Sequence, residues 1–183
     1  MLRKKLLVLS APSGGGKTTV ARHLLSTFPE LAFSVSATTR TMRAGETDGK
    51  DYYFLSREEF IRKVAVGDLL EYEEIFGNYY GTLRSEVQRS LHAEQPLLFD
   101  IDVKGALSIR RAFPEDTLLL FISPPDITTL EFRLRARSTE SDEQIRQRLA
   151  RAAMEMEYAG DFDTIIVNND LQTTLHEAER AVV

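Results

Sequence analysis

Residues 11–18 read Ala11-Pro12-Ser13-Gly14-Gly15-Gly16-Lys17-Thr18, and Thr19 follows. The run matches the phosphate-loop pattern G-x-x-x-x-G-K-[ST] except at Ala11, where the pattern has glycine. Glycines let successive backbone N–H groups turn toward one point and form a nest for anionic oxygens. A helix beginning at the loop adds partial positive charge. Lys17 would then bridge the outer phosphates of a triphosphate, and the Thr18 hydroxyl would ligate Mg²⁺. Ala11 is compatible with this geometry if its φ is negative. The flanks comply, because Leu6–Ser10 is an apolar run of strand length, and Val20, Ala21, Leu24 and Leu25 recur at helical spacing.

Three further groups of residues could do chemistry. Asp100 and Asp102 end the apolar run that starts at Leu97. A period of two predicts that both carboxylates face the same way at the carboxyl end of a strand, where ligands bind in such sheets and a metal could be held. A second group runs Ser36-Ala37-Thr38-Thr39-Arg40-Thr41-Met42-Arg43-Ala44-Gly45-Glu46 and Gly49-Lys50-Asp51-Tyr52-Tyr53-Phe54, with Glu71 and Gly77-Asn78-Tyr79-Tyr80-Gly81-Thr82 further on. A third is cationic: Arg133, Arg135, Arg137, Arg146, Arg148 and Arg151 crowd the segment around Ser138–Asp142. Arginine accounts for 17 of the 23 cationic residues, and its planar fork suits phosphate oxygens.

These groups need a frame. Apolar runs at Leu6–Ser10, Phe33–Ala37, Leu97–Asp102, Thr117–Ser123 and Thr164–Val167 alternate with segments of helical period. That alternation predicts an α/β fold, a parallel sheet with helices on both faces. Ser56–Glu59 and Ser141–Gln144 are capping boxes that start helices running to about Val66 and Tyr158. Asp126, after Pro124-Pro125, can cap another. Residues 36–95 fit the alternation less well. Leu69–Ile75 alternates like a half-exposed strand and Gly77–Gly81 reads as a turn, so this region is expected to be an inserted lobe. The expected division is a core of 1–35, 96–130 and 150–183, the lobe at 36–95, and a lid at about 131–149.

Composition narrows the classes. The chain has 183 residues, no cysteine and a formal net charge of −5. Thiol nucleophiles, disulfide scaffolds, iron–sulfur clusters and cysteine zinc sites are excluded. The acidic balance disfavours a nucleic-acid coat. The apolar run after Arg3-Lys4-Lys5 is about five residues, too short for a signal peptide, and no window reaches the ~18 apolar residues of a membrane helix. A cytoplasmic protein with no membrane or nucleic-acid partner is expected. His23, His92 and His176 show no metal spacing and are read as structural or surface residues.

Taken together, the motifs resemble those of guanylate kinase, a nucleoside monophosphate kinase. The family patterns T-T-R-x-P-R-x-G-E, G-x-x-Y-x-F and G-N-Y-Y-G are matched at 38–46, 49–54 and 77–81, with Met42 in the proline position. The resemblance covers essentially the whole chain; Arg137-Ser138 stands where Arg-Gly is common. It implies a P-loop core, and Mg²⁺-dependent transfer of the γ-phosphoryl group of ATP to GMP or dGMP in purine nucleotide metabolism. ATP would be held by Ala11, Pro12, Ser13, Gly14, Gly15, Gly16, Lys17, Thr18 and Thr19, with Asn168 near the adenine. GMP would be held by Ser36, Arg40, Arg43, Tyr52, Glu71, Tyr80, Thr82 and Asp102. Within that set, Arg40, Arg43, Tyr52 and Tyr80 would grip the phosphate, and Ser36 and Thr82 would reach the base O6. Glu71 would read guanine, because a carboxylate accepts from N1–H and the N2 amine together. Adenine offers an acceptor at N1 and no N2 amine. Thr18, Asp100 and Asp102 would serve the metal. Lys17, Arg40, Arg133, Arg137 and Arg148 would act on the transferring group, the last three from the lid. A different class shares part of the pattern: guanylate kinase-like domains that bind phosphorylated peptides without catalysis. Those typically lose the phosphate loop, which this chain keeps.

Overall fold

The computed structural model describes residues 2–75, 77–136 and 141–183. Among them the strands form two sheets. The larger has five parallel strands in the order β2 (Ala32–Phe33), β7 (Leu97–Asp100), β1 (Leu6–Ser10), β8 (Thr117–Ser123), β9 (Thr164–Val167). Both faces are covered, so the central strands are apolar throughout rather than alternating. On β1, Leu7 and Leu9 pack with Val20, Ala21 and Leu24 of α1 (Lys17–Thr27) and with Ala178, Ala181 and Val182 of α7 (Leu171–Val182). Leu6 and Val8 enter the opposite layer with Val103, Ala106 and Ile109 of α4 (Val103–Ala112).

The lobe is built on a smaller sheet, ordered β4 (Tyr53–Phe54), β3 (Ala37–Thr38), β6 (Asn78–Leu83), β5 (Leu69–Ile75). Its core is Phe60 of α2 (Arg57–Ala65), fully buried and stacked on Tyr79 at 5.3 Å. Ser56 and Glu59 form the expected capping box on α2. The outer edge of the lobe, β5, packs against α4 and so reaches the core. Helix α3 (Arg84–His92) leads back to β7. Helices α5 (Ile127–Ala136) and α6 (Asp142–Glu157) pair through Leu130, Leu134, Leu149 and Ala152, with a capping box at Ser141 and Gln144.

Three expectations change. The run Phe33–Ala37 is cut in two: Phe33 ends β2 and Ala37 starts β3, with Ser34 handing its N–H to Leu98 on the way. Gly77 is in a turn, at φ +78°, and Asn78–Gly81 is strand. Gly81 lies there because β5 approaches closely; a Cβ would sit 2.7 Å from the Glu71 carbonyl. Finally, β7 stops at Asp100, and Asp102 leaves the sheet to cap α4. The two acids therefore do not share a strand face.

Candidate active site

The phosphate loop springs from the carboxyl end of β1, between β7 and β8. Gly14 and Gly16 take φ of +90° and +101°, a region other residues avoid, which turns the loop back over the start of α1. Gly15 donates to the Pro12 carbonyl at 2.8 Å. Lys17 lies across the strand end, donating to the Asp100 carboxylate at 2.7 Å and to the Ile101 carbonyl at 3.1 Å. Thr18 is exposed at the opening of the helix.

A cleft of about 630 Å³ runs from this loop to the lobe. All of residues 11–19 border it at one end, and Ser36, Tyr52, Glu71 and Tyr80 at the other, with Asp100 and Asp102 between. Glu71 is positioned from two sides. The Thr82 hydroxyl, fully buried, donates to Glu71 Oε1 at 2.6 Å. Gly105, in the first turn of α4, leaves room for the other oxygen; a Cβ there would be 3.0 Å from Glu71 Oε2. Burial raises the Glu71 carboxyl to a pKa of about 7, and the Asp102 and Glu73 charges push the same way against the Thr82 hydrogen bond. Asp102 accepts from Gly105 N at 2.7 Å, an N-cap whose second oxygen stays toward the cleft, 4.0 Å from Arg151.

The remaining cations divide. Arg148 donates to Ser13 Oγ at 3.3 Å and borders the cleft. Arg40 is paired with Glu46 at 2.7 Å and sits over Tyr52, 5.3 Å from its centroid; it meets the cleft through Tyr52 and Tyr80. The Glu46 hydrogen bond holds its pKa high. Arg43 is exposed beside it, its backbone N–H fixed by Glu46. Arg133 turns away, donating to the Asn168 carbonyl at 2.8 Å. Arg137 lies outside the described residues, as does Ser138.

Asn168, expected beside the adenine, has its side chain under the phosphate loop. Its Nδ2 donates to the Gly15 carbonyl at 2.8 Å and would lie 2.2 Å from a Cβ on Gly16. Its Oδ1 accepts from Thr174 at 3.3 Å. This strut, one residue past the last strand, was not legible locally. Nor was a second cluster on the cleft wall, formed by Glu73, Arg151 and Glu155. The signal for Glu73 was its position two residues from Glu71 on one strand; Arg151 had only its spacing of three from Arg148.

The donor set suits a hard divalent cation. Thr18 offers a hydroxyl and Asp100 and Asp102 offer carboxylates, while no cluster of three or more acidic, His or Cys ligands occurs among the described residues. Mg²⁺ uses one or two carboxylates plus substrate phosphates and water in preference to an all-protein cage. Among the described residues no helix is long and apolar enough to cross a membrane.

A family model described as guanylate kinase matches residues 3–183. The chain is 52% identical to the guanylate kinase of Chlorobaculum tepidum over 93% of its own length and 88% of that protein's. It is 50% identical to that of Salinibacter ruber, over 95% and 93%. The crystal structure of guanylate kinase from Anaplasma phagocytophilum superposes with a TM-score of 0.72 at 35% identity, covering 98% of this chain and 85% of that one. Loop, lobe and sheet order thus coincide with a match over nearly the full length, and the chain belongs to the guanylate kinase family.

Proposed function

We propose that the chain transfers the γ-phosphoryl group of ATP to GMP or dGMP, giving ADP and GDP. The observation that carries this is the single cleft with a phosphate loop at one end and Glu71 at the other. The acceptor is a phosphate oxygen that is already anionic, so no general base is needed. Catalysis rests on alignment and on stabilising charge.

In this reading Lys17 leaves Asp100 to bridge the outer phosphates of ATP, while the N–H groups of residues 14–18 cradle them. Mg²⁺, held through Thr18 with Asp100 or Asp102, supplies charge neutralisation at the phosphates. Ser36 serves the base O6, Thr82 turns its hydroxyl from Glu71 to the same oxygen, and Glu71 accepts from N1–H and N2–H₂. Tyr52, Tyr80, Arg40 and Arg43 hold the GMP phosphate, and Arg40 exchanges Glu46 for it. Arg133, Arg137 and Arg148 close from the lid at about 131–149 onto the transferring group. The lobe at 36–95 closes against the core formed by 1–35, 96–130 and 150–183. Closure expels water that would otherwise hydrolyse ATP. The site of action is the cytoplasm, with ATP and GMP as the partners. A phosphopeptide-binding role is disfavoured by the intact loop and by relatives such as those of Chlorobaculum and Salinibacter, which are named as kinases.

The test is ADP release from ATP and magnesium across GMP, dGMP, AMP, UMP and TMP. Rapid turnover with the guanine nucleotides is expected. Unconverted GMP, together with binding of a phosphopeptide, would refute the assignment.

A further inference from the structure

Helix α6 carries two arginines three residues apart, and they reach opposite ends of the cleft. Arg148 donates to Ser13 of the phosphate loop. Arg151 donates through Nη2 to Glu73 on β5 at 2.6 Å. A spacing of three puts both on one helix face. Glu73 is two residues from Glu71, so the strand turns both carboxylates to the same side. One helical turn thus joins the triphosphate end of the cleft to the strand that presents the guanine reader.

The Arg151 fork is held in place from behind. Its Nε donates to Glu155 Oε1 at 2.9 Å, one turn further along the helix. Glu155 is 5% exposed, and its second oxygen has no hydrogen-bond partner among the described residues. An incompletely satisfied carboxylate is costly to bury. Its effect here is to fix one edge of the guanidinium, so that Nη2 points at Glu73 with Asp102 at 4.0 Å. Lys17 is already committed to Asp100, and Arg40 to Glu46. Glu73 sits on the edge strand β5, which pairs with β6 within the lobe sheet and packs on α4. The contact with Arg151 reaches it from outside the lobe.

We propose that Arg151 is a positioning residue: through Glu73 it sets where β5, and with it Glu71, stands relative to the phosphate loop. It acts on the guanine end without touching the transferring phosphoryl group. The pair also links acceptor binding to the helix that carries Arg148. This inference rests on the kinase reading above.

Steady-state kinetics of the full chain separate the two. Wild-type conversion of GMP tests the reaction itself. Arg151→Met keeps the apolar stem and removes the fork, and Glu73→Gln keeps the shape of the strand residue and removes its charge. Each is expected to raise KM for GMP about tenfold, equivalent to ~1.4 kcal/mol, with KM for ATP and kcat changed less than about threefold. The double variant should be no worse than the more affected single one, because both remove one contact. Arg151→Lys should recover only part of the loss, since one ammonium cannot hold Glu155 and Glu73 as the fork does. Additive losses, a silent Glu73→Gln, or a fall in kcat for Arg151→Met at unchanged KM for GMP would overturn the proposal. The last pattern would instead make Arg151 a direct phosphoryl ligand. Should Arg151→Met fail to fold, Glu73→Gln alone decides, by whether KM for GMP moves while KM for ATP stays.

Discussion

Replacing Glu71 by Gln separates what the carboxylate does for guanine from what it costs the protein. In the protein without nucleotide, burial holds this group at a pKa of about 7, against an ordinary 4.5. The folded-state value lies above the unfolded one. Its favourable contribution to stability is therefore complete below about pH 4.5 and is lost as pH rises through 7. At ~1.36 kcal/mol per pH unit the loss is about 3 kcal/mol in all, of which about 2 kcal/mol falls between pH 5.5 and 8. Gln carries no charge to bury, and its oxygen can still accept from Thr82. The variant should therefore gain stability over the wild type by about 2 kcal/mol more at pH 8 than at pH 5.5. Guanine recognition moves the other way. The amide offers one acceptor where N1–H and N2–H₂ present two donors, which leaves a donor facing a donor. An unsatisfied buried group costs ~1–3 kcal/mol. That corresponds to a roughly 5–150-fold loss in kcat/KM for GMP, with AMP little affected. ADP release with both nucleotides, and urea melts at the two pH values, provide the readouts. An unchanged GMP-over-AMP ratio would remove Glu71 as the reader. Identical pH slopes of stability in the two proteins would show that the carboxylate is not desolvated.

Lys17→Ala should lower kcat by about 10²–10³ or more while the protein still folds and binds GMP, as measured by ADP release and calorimetry; near-normal turnover would remove the loop lysine from the chemistry. Asn168→Ala should weaken ATP about tenfold and leave GMP binding unchanged, because the lost hydrogen bond supports Gly15; a thermal melt should report a cost of ~1–2 kcal/mol. Equal effects on both nucleotides would contradict that strut. A bisubstrate ligand joining adenosine and guanosine through phosphates should shrink the radius of gyration in solution scattering, and an unaltered profile would contradict closure.

Signals confined to a few residues were readable in the sequence. The capping boxes at Ser56 and Ser141 are local hydrogen-bond patterns, and the helices start where they predict. The apolar run Thr117–Ser123 could only be a strand covered on both faces. Where two local rules competed, the reading failed. Asp102 fits both a strand period and an N-cap; the cap prevailed because Gly105 N was there to be satisfied. Gly77–Gly81 looked like a turn on glycine content, yet Gly81 answers to a close backbone approach from a neighbouring strand. The Arg151–Glu73 and Asn168–Gly15 contacts span 78 and 153 residues, so no window of sequence contains either pair.

That second span bears on how the protein is made. The phosphate loop leaves a ribosome well before its floor, because Asn168 follows Gly15 by 153 residues, and the helix beside α1 is α7. A nascent chain cannot assemble a firm triphosphate pocket until β9 and α7 have emerged and docked. ATP capture thus reports that synthesis has passed residue 168, and chains stalled short of that point are left without the ligand that would stabilise them.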